Sequence, residues 1–174
     1  MNDFNLVATT ARGNERQMIY EMLYLLKETL GDQTAQASKT GVRGLIVAKT
    51  ALNPCNVVDK FKTTVHERPY EFRYALRIIP VEKVVPTDLD AIGQAAAELS
   101  SQIAENESFR VTVEKRFTTL HSQEIVEAVA ARIQRPVNLD KPDKVLLIEI
   151  IGKFTGISFV KPELIFSVPK EKML

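Results

Sequence analysis

The stretch from Ser108 to Val160 constrains the chain most, because it sets several kinds of local signal in a fixed order. Phe109-Arg110-Val111-Thr112-Val113-Glu114 alternates apolar and polar side chains, the period of a half-buried strand, and closes on the basic pair Lys115-Arg116. A helix opens at Ser122, which caps it, and its apolar face is Ile125, Val126, Val129 and Ile133. Arg132 and Arg135 suit its C-terminal end, and Pro136 stops it. The segment Val137-Asn138-Leu139-Asp140-Lys141-Pro142-Asp143 punctuates, with Asp140 and Asp143 as turn formers. A near-continuous apolar run, Val145 to Ile151, predicts a buried strand. The glycine-bounded turn Gly152 to Gly156 then leads as a hairpin into Gly156-Ile157-Ser158-Phe159-Val160. Lys161-Pro162 breaks that strand, and Leu164-Ile165-Phe166 adds a short edge piece.

The first half carries a second α/β pattern. Asn5 to Thr10 reads as a short strand, followed by the loop Arg12-Gly13-Asn14. A helix then places Met18, Ile19, Met22, Leu23, Leu25, Leu26 and Leu30 on one broad face, with Gly31 as its left-handed C-terminal cap. Gln33 to Lys39 fits either a strand or a loop, whereas Val42 to Ala48 is a clearer strand. Asn53 caps the next helix and Pro54 takes its first position; Val57, Val58, Phe61 and Val65 form the buried face. Phe72 to Ile79 alternates Phe72, Tyr74, Leu76 and Ile78 against Arg73, Ala75, Arg77 and Ile79, which predicts a further strand. Strand and helix alternate here in the manner of a ferredoxin-like unit. Pro80 and Pro86 bracket Val81 to Val85, where the domain joint is expected. A helix with apolar positions Leu89, Ile92, Ala96, Leu99 and Ile103 follows Thr87. The expected fold class is therefore α/β (α+β): a ferredoxin-like domain over 1–80, an α/β domain over 81–168 and a tail over 169–174. No repeat at fixed period is present.

Composition narrows the function. Of 174 residues 45% are hydrophobic, enough for a packed core. The formal net charge is +1, so any nucleic-acid site must come from local clustering of Lys and Arg. Cys55 is the single cysteine, which permits no internal disulfide and no cysteine-based zinc site. The chain opens Met1-Asn2-Asp3 without a basic-then-apolar run and holds no apolar stretch near the ~20 residues that span a bilayer. A reducing, cytoplasmic setting without membrane, metal or cofactor is the expectation.

Catalytic signatures are lacking: no Walker A sequence, no H-E-x-x-H and no G-x-S-x-G occurs. Cys55, His66 and His121 have no spacing that marks a nucleophile with its base. The basic residues are the stronger candidates. Lys115 continues the apolar row of its strand and so must escape the core at the strand end. Arg offers phosphate a planar fork and Lys a mobile point charge; a solvated strand end accounts for the same pair. Arg73 and Arg77 lie four residues apart on the expected strand before the joint, facing either a groove or the neutralising Glu71 and Glu82. Lys153 sits in the glycine-bounded turn, where phosphate approaches backbone N–H groups, and Lys161 ends the last strand.

Strand, basic pair, helix, "VNLDKPD" joint and paired strands together resemble the THUMP domain, an RNA-binding module of tRNA-modifying proteins. Asn5 to Thr10 with Arg12-Gly13, and "LRIIPV" at 76–81, extend the likeness to stand-alone THUMP proteins that assist tRNA acetylation. The resemblance implies a ferredoxin-like domain ahead of the THUMP domain and no catalytic domain, because only a short segment follows Val160. It implies a non-enzymatic adaptor that binds tRNA by its acceptor stem and 3′ end and presents it to a separate acetyltransferase forming 4-acetylcytidine. Carried over, Lys115 and Arg116 are the first candidates for RNA contact, with Arg110, Lys153 and Lys161 next and Arg73 and Arg77 beside them. Alternatives are an RNA-binding subunit of another tRNA-modifying enzyme, a protein-interaction module with an exposed apolar patch, and an enzyme with a pocket around Cys55 or His66.

Overall fold

A computed structural model describes residues 1–174. They form two compact units: Met1–Val81 with Glu163–Leu174, and Glu82–Pro162. The first unit runs β1 (Leu6–Thr9), α1 (Glu15–Tyr24), β2 (Gln36–Lys39), β3 (Leu45–Lys49), α2 (Pro54–Glu67) and β4 (Arg77–Pro80). Its sheet has the order β2-β3-β1-β4, and every neighbouring pair is antiparallel. The helix after β1 runs on past Tyr24 as a π-helical turn, Leu25–Thr29. Met18, Met22, Leu25 and Leu26 are all fully buried along it, as their spacing predicts. Gly31 adopts φ +79°, the left-handed conformation that closes a helix without a Cβ clash. Asn53 caps α2, its side chain accepting from the Asn56 N–H at 3.0 Å, and Phe61 packs edge-on against Phe72 at 5.9 Å.

Two buried carboxylates organise this unit. Asp32 accepts through one oxygen from the N–H and hydroxyl of Thr34, and through the other from the Thr50 hydroxyl at 2.6 Å and the Ala51 N–H at 2.8 Å. Glu21, on the buried face of α1, accepts from the consecutive backbone N–H groups of Arg73, Tyr74 and Ala75 at 2.6–3.2 Å. That second contact corrects the strand expected from Phe72 to Ile79. N–H groups turned onto one carboxylate cannot enter a ladder, so the strand begins only at Arg77, and the chain ahead of them forms a 3-10 turn, Pro69–Glu71. Arg73 and Arg77 therefore do not share a strand face.

The C-terminal residues return to the first unit, where the sequence reading placed part of the second domain and a tail. Leu164 falls in a 3-10 turn (Pro162–Leu164) rather than an edge strand, and a short helix follows, α5 (Val168–Lys172). The Val168 N–H donates to the Leu76 carbonyl at 2.8 Å, His66 meets Glu171 at 2.7 Å, and the Lys172 ammonium reaches the Phe72 carbonyl.

The second unit comprises β5 (Lys83–Pro86), α3 (Leu89–Leu99), β6 (Phe109–Arg116), α4 (Ser122–Ala130), β7 (Lys144–Ile151) and β8 (Phe154–Val160). The sheet order is β5-β8-β7-β6; β6 and β7 run parallel, and the other pairs antiparallel. Ile92, Ala96 and Leu99 of α3 and Ile125 and Val129 of α4 pack on Phe109, Leu146, Ile148, Ile150, Ile157 and Phe159 of the sheet. Val111 and Val113 join that core from β6. α4 ends at Ala130, earlier than Pro136 requires, and its first helical residue is Ser122 with His121 as the cap position. The His121 N–H donates to Glu124 at 3.0 Å, satisfying one end group of the helix.

The Asp32 cluster gives a measurable prediction. Hydrogen bonds from Thr50, then Thr34, hold its carboxyl down to about 2 from 3.8. A depressed acid stabilises the fold above its unfolded value and loses that contribution as pH falls through its folded value. Asp32→Ala should cost about 2 kcal/mol in urea unfolding at pH 7, and the gap from wild type should narrow between about pH 4 and pH 2.

Candidate nucleic-acid interface

Parallel pairing of β6 with β7 decides which basic residues meet. Both strands end at the same edge of the sheet, and the Gly152 N–H donates to the Arg116 carbonyl at 2.9 Å. Arg116, Phe117 and the β7–β8 turn are thereby tied together. The Thr87 N–H donates to the Lys153 carbonyl at 2.9 Å, and the Thr87 and Thr155 hydroxyls lie 2.8 Å apart. The result is an open hollow of about 610 Å³ lined by Thr87, Phe117, Thr118, Thr119, Gly152 and Lys153. Helix α3 starts two residues after Thr87 and α4 three residues after Thr119, so both helices begin beside it. Helix N-termini carry unpaired N–H groups and partial positive charge, and the carboxyl ends of strands in an α/β sheet are where ligands bind.

The two members of the basic pair behave differently. Lys115 is exposed, with its ammonium 3.4 Å from the Leu120 carbonyl. Arg116 points to the other face, where its guanidinium meets Glu149 at 2.6 Å. The Glu149 side chain is 1% exposed and that of Arg116 16%, so this pair is largely withdrawn from water. A buried carboxylate needs such a partner, and removing one member leaves an uncompensated charge. Arg116 thus serves the sheet, whereas Lys115 and Lys153 present their charges to solvent.

Phe117 was not legible as a site residue. It is 76% exposed and holds φ +57°, the chain's one positive-φ residue that is not glycine. A bulky side chain in that region costs on the order of 1–3 kcal/mol and persists where surrounding structure enforces it. Here the enforcement is visible: the Arg116 carbonyl is held by Gly152, and Leu120 turns back into the core. An aromatic face is thus presented to water in the hollow that Lys153 also lines. The only sequence hint was an aromatic between a basic pair and two threonines; the backbone conformation that exposes it carries no sequence mark.

The remaining candidates lie elsewhere. Arg110 is opposite Val145 near the start of β6, six residues or about 20 Å along the strand from Arg116, and donates to the Leu139 carbonyl at 3.1 Å. Lys161 follows β8 at that same far end, since Val160 pairs with Val145. Glu107 sits there too, its carboxyl held below the usual range first by the Lys144 bond and also by the charge of Lys161. Asp143 binds the N–H and hydroxyl of Ser108 and so fixes the entry to β6, a turn-forming role. In the first unit, Arg73 is exposed with its guanidinium over Tyr74, and Arg77 opens β4 opposite Thr9. The second unit therefore gathers Lys115, Arg116 and Lys153 at one end and Arg110 and Lys161 at the other.

No helix is long and apolar enough to cross a membrane. No group of three or more His, Cys, Asp or Glu is placed to hold a metal ion.

Comparison with known proteins agrees with this geometry at the level of domain and fold. Residues 86–160 match the THUMP domain family. No curated protein matches the chain. Among solved structures it is similar to PH1313 of Pyrococcus horikoshii Ot3, at 18% identity and TM-score 0.62 over 91% of this chain and 55% of that one. It is similar to TrmN of Thermus thermophilus, at 16% identity and TM-score 0.56 over 90% and 45%. A 4-thiouridine synthetase solved with RNA and bound ATP matches at 15% identity and TM-score 0.56 over 91% and 42%. At such identities the likeness is one of fold, and the chain spans 55% or less of each of these structures.

Two stability predictions follow from the strand end. Arg116→Ala should lower the unfolding free energy by about 3 kcal/mol, because Glu149 is left buried without its partner. Phe117→Gly should leave it unchanged or raise it by up to about 1 kcal/mol, since glycine takes positive φ freely and the ring is mostly exposed. Urea unfolding of each variant against wild type measures both.

Proposed function

We propose that this protein binds tRNA through the strand-end hollow of its THUMP domain and acts as a non-catalytic adaptor. In this reading Lys115 and Lys153 contact phosphates, which gives affinity without reading sequence. Phe117 stacks an unpaired base, a use of aromatic rings that every base tolerates. The observation that carries the proposal is an exposed, conformationally forced Phe117 lining one hollow with Lys153, with exposed Lys115 two residues before it on the same strand end, inside residues 86–160. The first unit is read as a ferredoxin-like domain, supported by its strand and helix order.

The partner is read as a separate acetyltransferase that forms 4-acetylcytidine. Support for it is the likeness of Asn5 to Thr10, Arg12-Gly13 and Leu76 to Val81 to stand-alone THUMP proteins of tRNA acetylation. A second reading, an RNA-binding subunit of another tRNA-modifying enzyme, is favoured by the fold shared with a 4-thiouridine synthetase solved with RNA. Formation of 4-acetylcytidine on total tRNA by the acetyltransferase, with and without this chain, separates the two.

The RNA site itself is tested by tRNA gel shifts across a salt series. Replacing Lys115 and Lys153 together by Ala should reduce the slope of log affinity against log salt by about 2. Phe117→Gly should weaken binding about tenfold and leave the slope alone, because stacking releases no counterions. Unchanged affinity and slope in all variants would rule out this hollow as the tRNA site.

A further inference from the structure

All four tyrosines of the chain line one cleft in the first unit. Tyr20 and Tyr24 stand one turn apart on α1, and Tyr70 and Tyr74 come from the segment that Glu21 pulls off the strand path. The cleft measures about 520 Å³, within the ~300–1,000 Å³ usual for small-ligand pockets. Tyr70 is 70% exposed and Tyr20 59%. Exposed aromatic rings gathered in one depression are costly to leave in water unless something covers them.

Charge decides what kind of ligand fits. The acidic groups in the cleft are already engaged. The Glu21 carboxylate is closed by three backbone N–H groups, and Glu71 is held by the Tyr24 hydroxyl at 3.1 Å and Arg68 at 3.5 Å. The guanidinium of Arg73, which lines the cleft, lies over Tyr74 at 5.9 Å from the ring centre, and Arg16 donates to the Tyr20 hydroxyl at 3.3 Å. A guanidinium over Tyr74 and another at the Tyr20 hydroxyl disfavour a cationic guest such as an alkylammonium and favour an anionic one, while leaving the Tyr20 and Tyr70 faces for stacking. A flat ring bearing a phosphate meets each feature: tyrosine faces for stacking, phenol hydroxyls for the base edge, guanidinium forks for the phosphate.

We propose that this tyrosine cleft binds a single unpaired nucleotide of an RNA strand, its base stacked on Tyr20 and Tyr70 and its phosphate taken by Arg73. The choice of RNA as the source rests on the proposed function; the cleft is a second site, separate from the strand-end hollow. It gives the first unit a recognition role of its own for unstacked, single-stranded RNA.

Because every tyrosine lines the cleft, labelling tyrosine rings with carbon-13 makes each observed ring signal a reporter on this site. The full chain is titrated with a hexaadenylate. Ring signals of Tyr20 and Tyr70 should shift saturably by the ring current of the stacked base. Tyr70→Ala should weaken hexamer binding about tenfold, the loss of one stacked base, while Tyr70→Phe stays within about twofold because it keeps the ring. Tyr70 is exposed, so neither change unfolds the protein. Hexamer binding that leaves the tyrosine signals unmoved would overturn the proposal, as would shifts produced by a trimethyllysine peptide and not by the hexamer. The Lys115→Ala, Lys153→Ala double variant keeps the two readings apart. Loss of tRNA binding there with tyrosine shifts intact belongs to the strand-end hollow; absent shifts with tRNA binding intact count against the cleft alone.

Discussion

The interaction that the second unit's surface depends on is the ion pair of Arg116 with Glu149. Glu149 sits in the middle of β7 with 1% of its side chain exposed, in a run of residues that is otherwise apolar. A carboxylate in that position demands a cation, and the parallel register of β6 on β7 supplies one from the same face two residues on. Satisfying Glu149 turns Arg116 inward. The alternation of the strand then sends Lys115 the opposite way, and the chain leaves β6 with Phe117 in a left-handed conformation. One buried charge thus sets the direction of three consecutive side chains at the rim.

This explains how a molecule with a net charge of +1 can still present a nucleic-acid surface. The site need not be a broad cationic field. It combines Lys153 and an aromatic ring lining one hollow with two helix starts and exposed Lys115 at the same strand end, while other cations are occupied structurally: Arg116 by Glu149, Arg132 by Asp90, Lys144 by Glu107. Arg110 and Lys161 stand at the far end of the sheet and add to a different part of the surface. Few phosphate contacts mean modest affinity with shallow salt dependence.

Local chemistry was the legible part of the sequence. Asn53-Pro54 announced the start of α2, Gly31 the left-handed turn after α1, and Gly152 the turn between β7 and β8. The alternation from Phe109 to Val113 gave β6 its buried face. What stayed hidden depended on partners distant in sequence. The alternation from Phe72 to Ile79 was as good a strand pattern as that of β6, yet Glu21, some fifty residues earlier, took its N–H groups. Alternation alone put Lys115 and Arg116 on opposite faces, but the buried carboxylate that engages Arg116 is seen only once β6 is in register with β7. The tyrosines at 20 and 24 and at 70 and 74 showed matching spacings, but only the fold brings the two pairs to one cleft.

The most direct test is an amide hydrogen-exchange footprint of tRNA on the intact chain. If the strand ends form the RNA site, tRNA slows exchange at the backbone of residues 115–119 and 152–153, next to the hollow, and this protection disappears at high salt. Protection confined to the opposite end of the sheet, around Arg110 and Lys161, with the strand-end amides unaffected, would contradict the account.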